Sequence, residues 1–133
     1  MSQPAALDDK GLPPGYPYRP EWERTPREVA TLITLPSKSH RPLLVDCRTE
    51  QERQLAAIAG SLFVPLHEIE SKLDDIRDRM EDDGSSTVIV HCHHGVRSLR
   101  ATAVLRAAGL DAYSLAGGID LWSKDIDRTI PTY

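Results

Sequence analysis

The chain has 133 residues, 40% of them hydrophobic and 27% charged, with a formal net charge of −4 and a pI near 5.7. That length fits one domain with a single core, and the acidic balance offers no cationic surface for nucleic acid or an anionic membrane. There is no membrane-length apolar run and no secretion signal, and two cysteines are too few for a disulfide scaffold, so a reducing, cytoplasmic setting is expected.

Residues 1–20 are rich in proline (Pro4, Pro13, Pro14, Pro17, Pro20) and are expected to form an extended tail rather than a packed element, ahead of a domain over 21–133. Thr25-Pro26-Arg27-Glu28 is a capping box with proline at the first helical position, and predicts a helix to about Leu35. Leu43 to Cys47 reads as a buried strand that delivers Asp46, Cys47 and Arg48 to its carboxyl end. A second capping box, Thr49 to Glu52, begins a helix through about Ala57, and Leu62-Phe63-Val64 is a short strand closed by Pro65. From His67 to Met80 the spacing of Ile69, Leu73, Ile76 and Met80 predicts one amphipathic helix, followed by a polar turn over 81–86.

Thr87 to His91 is short, β-branched and apolar, a further buried strand. Ser98 is expected to cap a helix through Ala108 that stops at Gly109. Ala112 to Leu115 reads as a strand, Gly117-Gly118 as a turn, and Ile119 to Asp125 as a short helix carrying Trp122. Strands alternating with helices imply an α/β fold, a central parallel sheet of about five strands with helices on both faces. Reactive groups in such sheets gather beyond the carboxyl ends of the strands, where Asp46, Cys47, Arg48 and Cys92 fall.

The segment Cys92-His93-His94-Gly95-Val96-Arg97 carries the chemistry. A thiol between a strand end and a helix N-terminus is made acidic by the helix dipole and by loop N–H groups, which also suit an anion. Gly95 suits a loop that must turn its backbone inward. Arg97 supplies a permanent cation, for an anionic donor or for bracing the loop through a carboxylate. His93 and His94 are placed to line the pocket mouth. His91, Cys92, His93 and His94 raise a zinc reading, but neighbours on a strand face opposite ways and no ligand-pair spacing accompanies them, so no metal is assigned. His40 and His67 read as exposed bystanders. Cys47 is either a buried core residue or a resolving thiol for Cys92, the latter only if their Cα atoms lie within about 7 Å. Asp46, Arg48 and Glu52 read as an ion-paired brace of the strand-to-helix junction.

On these residues the chain resembles the rhodanese-like domain family, from about Thr25 to Tyr133. Leu44 to Glu52 with Ile58 to Pro65 is similar to the family's Asp-x-Arg strand and its later Pro-terminated segment. Val90 to Ser98 resembles its active loop, and Leu115 to Trp122 its Gly-Gly-x-x-x-Trp element. Asp127 to Tyr133 is similar to the tail of rhodanese domains fused to E1-like sulfur-activating enzymes. Ala56-Ala57 departs from the family's frequent Gly-His, and Cys47 stands where valine is frequent. The resemblance implies a sulfurtransferase. Cys92 takes sulfur from a thiosulfate-like donor as a persulfide and passes it to a thiol or protein acceptor, with no cofactor. His93, His94, Gly95, Val96 and Arg97 would contact the substrate, and Asp46, Arg48 and Ser98 would support the loop.

Three other readings compete. A cysteine-based phosphatase places arginine six positions after cysteine, whereas Arg97 is five after Cys92, a loop too tight for a tetrahedral phosphate. A persulfide carrier or binding module that acts only with a partner protein would carry the same residues. A redox sensor would pair Cys47 with Cys92.

Overall fold

The computed structural model describes residues 6–133. Five parallel strands form one sheet in the order β1-β5-β4-β2-β3: β1 (Glu23–Arg24), β2 (Leu43–Asp46), β3 (Leu62–Phe63), β4 (Val88–His91) and β5 (Ala112–Leu115). Between them run α1 (Pro26–Leu32), α2 (Glu50–Leu55), α3 (Leu73–Asp83) and α4 (Val96–Ala107), and α5 (Gly118–Asp125) follows β5. β4 pairs with β2 on one side and β5 on the other, so its carboxyl end opens at the middle of the sheet.

Alternation along the strands sorts the core into two layers. Leu43, Val45, Val88 and Val90 face Ile76 and Met80 of α3 and Ala101 and Leu105 of α4. Leu44, Ile89 and Leu115 face Val29 of α1 and Ile119 and Trp122 of α5. Helices therefore cover both faces, as the apolar character of the strands requires.

Both capping boxes form: Thr25 accepts from the Glu28 amide while Glu28 reaches back, and Thr49 and Glu52 do the same. Other boundaries differ from expectation for identifiable reasons. α1 stops at Leu32 rather than Leu35, because Pro36 disfavours helical geometry at the residue before it. α2 stops at Leu55, where Ala56 turns extended so that Ala56 and Ile58 can enter the core. The stretch from His67 to Met80 is two 3₁₀ turns, Leu66–Glu68 and Glu70–Lys72, before α3 begins at Leu73. α3 also runs through the expected polar turn to Asp83, where Gly84 at φ 73° ends it.

Two corrections bear on the site. Ser98 is not the N-cap of α4. Gly95 is, at φ 116°, and Ser98 is the third helical residue. The proline-rich segment, of which residues 1–5 lie outside the described residues, packs against the domain over its described part. Leu12 is 2% exposed and joins Ala116 and Leu121, with Leu7, Tyr16 and Tyr18 around them. It forms no helix, as its prolines dictate, but its aromatic and aliphatic side chains gain more from burial than from solvent. The short strand β1, which the composition did not announce, extends this covering by pairing Glu23 and Arg24 with Ser114 and Leu115.

Leu105 is fully buried between α4 and the sheet. Leu105→Ala is expected to lower unfolding free energy by about 2–5 kcal/mol, read as a fall in the urea midpoint at unchanged slope.

Candidate active site

The site is assembled from the residue after β4. The Cys47 amide donates to the His91 carbonyl at 3.0 Å, continuing the β2–β4 ladder by one step, so Cys47 and Cys92 are register partners on the same sheet face. His91 and Asp46, one residue earlier, point to the opposite face.

Cys92 is 1% exposed, and its sulfur is ringed by donors. The Gly95 amide lies 3.0 Å from Sγ, the Ser98 amide 3.4 Å and the Ser98 hydroxyl 3.3 Å. The Cys47 thiol stands beside it at the end of the neighbouring strand. A thiolate only accepts, so Ser98 Oγ gives its hydrogen to Sγ, and Ser114 Oγ, 2.7 Å away, gives its own to Ser98. The Cys47 hydrogen bond, then the Ser98 side chain and the two amides, outweigh burial and bring the Cys92 thiol from 9.0 to about 5. The same contact, with burial, pushes the Cys47 thiol up, so one proton is shared unequally between neighbours. Cys92 is a thiolate at neutral pH.

The correction at Ser98 has a direct consequence here. As the third helical residue it keeps a free amide, one of the orphan donors of a helix start, and spends it on Sγ. Gly95 at positive φ turns its own amide inward. Behind the loop, Gly118 begins α5, whose first amides bond the strand exit: Ile119 N to Cys92 O at 2.9 Å and Asp120 N to His93 O at 3.1 Å. A Cβ at Gly118 would drive into the His93 carbonyl, so only glycine permits this approach.

Arg97 makes a two-pronged ion pair with Glu52, at 2.5 and 2.9 Å, tying α4 to α2. Of the two roles expected for it, this is the brace. That pairing holds the Glu52 carboxyl well below the usual carboxylate range against the opposing effect of burial. Tyr133 Oη donates to Glu52 at 2.6 Å and accepts from Arg48 at 2.9 Å, while its ring stacks on His93 at 4.1 Å. His94 is exposed, 3.8 Å from Asp120, and Val96 stands at the rim with 73% of its surface exposed. His40 and His67 are exposed.

The junction brace forms with changed partners. Arg48 binds Asp46 through Nε and Nη2, both at 2.8 Å and both fully buried, and Arg53 adds a third contact at 3.1 Å. Glu52 belongs instead to Arg97. His91 lies 3.7 Å from Asp46, and burial drives it down to about 4, so it is neutral. Sequence reasoning missed Ser114 and Tyr133, since nothing local marks a strand serine or a distant tyrosine as facing the loop. It also missed Tyr16, whose hydroxyl accepts from the Gly117 amide at 3.0 Å beside Gly95.

A cleft of about 1050 Å³ opens next to His94, between the N-terminal segment, α5 and residues 130–132, with Tyr16, Asp120, Lys124 and Arg128 on its walls.

A strand-end cysteine in a glycine-turned loop at a helix start, on a five-stranded parallel sheet, defines a cysteine-loop domain of the α/β class. The family model for the rhodanese-like domain matches residues 26–125, and the chain belongs to that family. Among curated relatives it is 38% identical over 104 residues to the adenylyltransferase and sulfurtransferase MOCS3 of Oryza sativa subsp. japonica, covering 71% of this chain and 23% of that protein. It is 30% identical over 132 residues to the adenylyltransferase and sulfurtransferase UBA4 of Lodderomyces elongisporus, covering 96% of this chain and 28% of that protein. The chain thus spans about a quarter of the length of these relatives. The human single-domain sulfurtransferase TSTD1 superposes with a TM-score of 0.63 at 25% identity, covering 77% of this chain and 96% of that one.

The thiolate absorbance of Cys92 is expected to titrate near pH 5. The stabilisation it provides is complete above the ordinary value of 9.0 and lost as pH falls through about 5. Ser98→Ala removes one donor and is expected to raise the midpoint by about one unit.

Proposed function

We propose that this domain is a sulfurtransferase in which Cys92 carries the sulfur. The observation that supports this most is the set of donors on Cys92 Sγ, which keeps a buried sulfur anionic. The thiolate attacks the outer sulfur of a thiosulfate-like donor. The S–S bond breaks, sulfite leaves with its electron pair, and Cys92 holds a persulfide. A thiophilic acceptor, a small thiol or a protein thiol, then attacks the outer sulfur and regenerates the thiolate. The scheme is ping-pong, and the covalent intermediate divides one transfer into two.

The site's dimensions favour sulfur over phosphate. Arg97 follows Cys92 by five residues and is committed to Glu52, so the phosphate-holding role of an arginine six positions on has no counterpart. His93, His94, Gly95 and Val96 bound the approach to Sγ, and Asp46, Arg48 and Ser98 hold the loop. The cleft beside His94 gives an acceptor room to reach the loop from one side. The rice and yeast relatives carry sulfurtransferase in their names, which agrees with this reading. A thiolate kept at neutral pH fits a reducing, cytoplasmic setting.

Incubation with thiosulfate and cyanide together is expected to yield thiocyanate with the wild-type chain and none with Cys92→Ala, the cyanide taking the outer sulfur of the Cys92 persulfide. A folded, reduced wild-type chain that forms no thiocyanate overturns the thiosulfate reading and leaves a carrier that is loaded only by its partner.

A further inference from the structure

Cys47 does more than the sulfurtransferase cycle asks of it. It is 1% exposed, on the strand beside Cys92, and lies in the same apolar layer. The ladder makes the two residues register partners, and neighbouring strands lie about 4.8 Å apart. That spacing falls within the Cα separation of a disulfide, about 4.4–6.8 Å. Their side chains leave the same face of the sheet and are buried in one apolar cluster. Both cysteines are free thiols.

The directions around Sγ differ. The Gly95 and Ser98 donors reach it from the loop and the start of α4, whereas Cys47 stands beside it on the neighbouring strand. Cys47 therefore addresses the inner sulfur of a persulfide, not the outer one.

We propose that Cys47 is a resolving thiol that discharges the Cys92 persulfide as sulfide. The inference rests on the sulfurtransferase reading of Cys92. The Cys47 sulfur attacks Cys92 Sγ and gives up its proton. A Cys47–Cys92 disulfide bond forms, and the bond from Sγ to the outer sulfur breaks. The outer sulfur leaves with the electron pair and takes the proton, as hydrosulfide. Sulfane sulfur gains two electrons and the two thiols lose them, so no outside oxidant takes part. A dithiol reductant then returns both cysteines to thiols. External acceptors approach the outer sulfur from solvent, so the two routes compete for one intermediate. Transfer prevails when an acceptor is present, and a loaded chain without one empties itself. While Cys92 is a thiolate its charge keeps Cys47 protonated and idle, and loading Cys92 moves that charge outward.

The test uses the reduced, desalted chain with thiosulfate and no reductant, followed by intact mass, sulfide release and a non-reducing peptide map. Wild type is expected to release one equivalent of sulfide, to finish about 2 Da below the reduced mass, and to yield a Cys47–Cys92 cross-linked peptide. Cys47→Ser is expected to keep its extra sulfur and release no sulfide. The wild-type peptide map needs no variant, and a thermal melt of Cys47→Ser checks that it is folded. Wild type that retains the added sulfur and releases no sulfide overturns the resolving role and leaves the sulfurtransferase standing. Equal release from Cys47→Ser, or the same disulfide without thiosulfate, also overturns it. If neither chain gains or releases sulfur, the sulfurtransferase reading fails and the resolving step falls with it.

Discussion

The structure around the loop depends on keeping one negative charge out of water. An unpaired buried anion is costly, several kcal/mol even after relaxation, and the Arg97 guanidinium, which feels the Cys92 charge, makes its ion pair with Glu52 instead. Hydrogen bonds from separate parts of the chain meet that cost. The donors are the Gly95 amide and the Ser98 amide and hydroxyl, the latter backed by Ser114 on β5. Each is useful only if its element is held in place, so the sheet register, the start of α4 and the turn at Gly95 all serve the same sulfur.

The charges that are paired sit one step back, where they fix elements rather than touch sulfur. Asp46, Arg48 and Arg53 lock β2 to α2, and Arg48 also donates to the carbonyls of Glu52 and Ala56. Such a buried network stabilises weakly as a whole but penalises the loss of any member, which makes it a device for position. Glu52 shows the same economy. One carboxylate completes the capping box of α2, holds both prongs of Arg97 and accepts from Tyr133. Helix α2, helix α4 and the last residue of the chain thereby share one anchor.

Two segments without regular structure close around the loop. From one side Tyr16 bridges the Glu23 carboxylate and the Gly117 amide, at 2.6 and 3.0 Å, next to Gly95. From the other, Tyr133 stacks on His93. The cleft that remains lies between them, beside His94. Coverage of this kind restricts which molecules reach a thiolate that is otherwise open to any small electrophile.

What was legible in the sequence was local. Two capping boxes, β-branched runs of strand length, and glycines at helix ends each state their element through nearest-neighbour physics, and the Cys92-x-x-Gly95-x-Arg97 spacing placed a reactive thiol before a helix. The sequence by itself therefore determined the α/β order and which cysteine lies in the loop at the start of α4. It misplaced the cap of α4, because a serine and a glycine three residues apart both qualify and only the loop's path chooses between them. It allowed the proline-rich segment to be extended but could not show that Leu12 and Tyr16 find a surface, since Ala116, Gly117 and Leu121 lie about a hundred residues away in sequence. The tertiary structure alone decided that Arg97 binds Glu52, that Tyr133 reaches the loop, and that Cys47 stands against Cys92. These pairings are set by strand register and crossover geometry, which act across the whole sheet and leave no trace in any short window of residues.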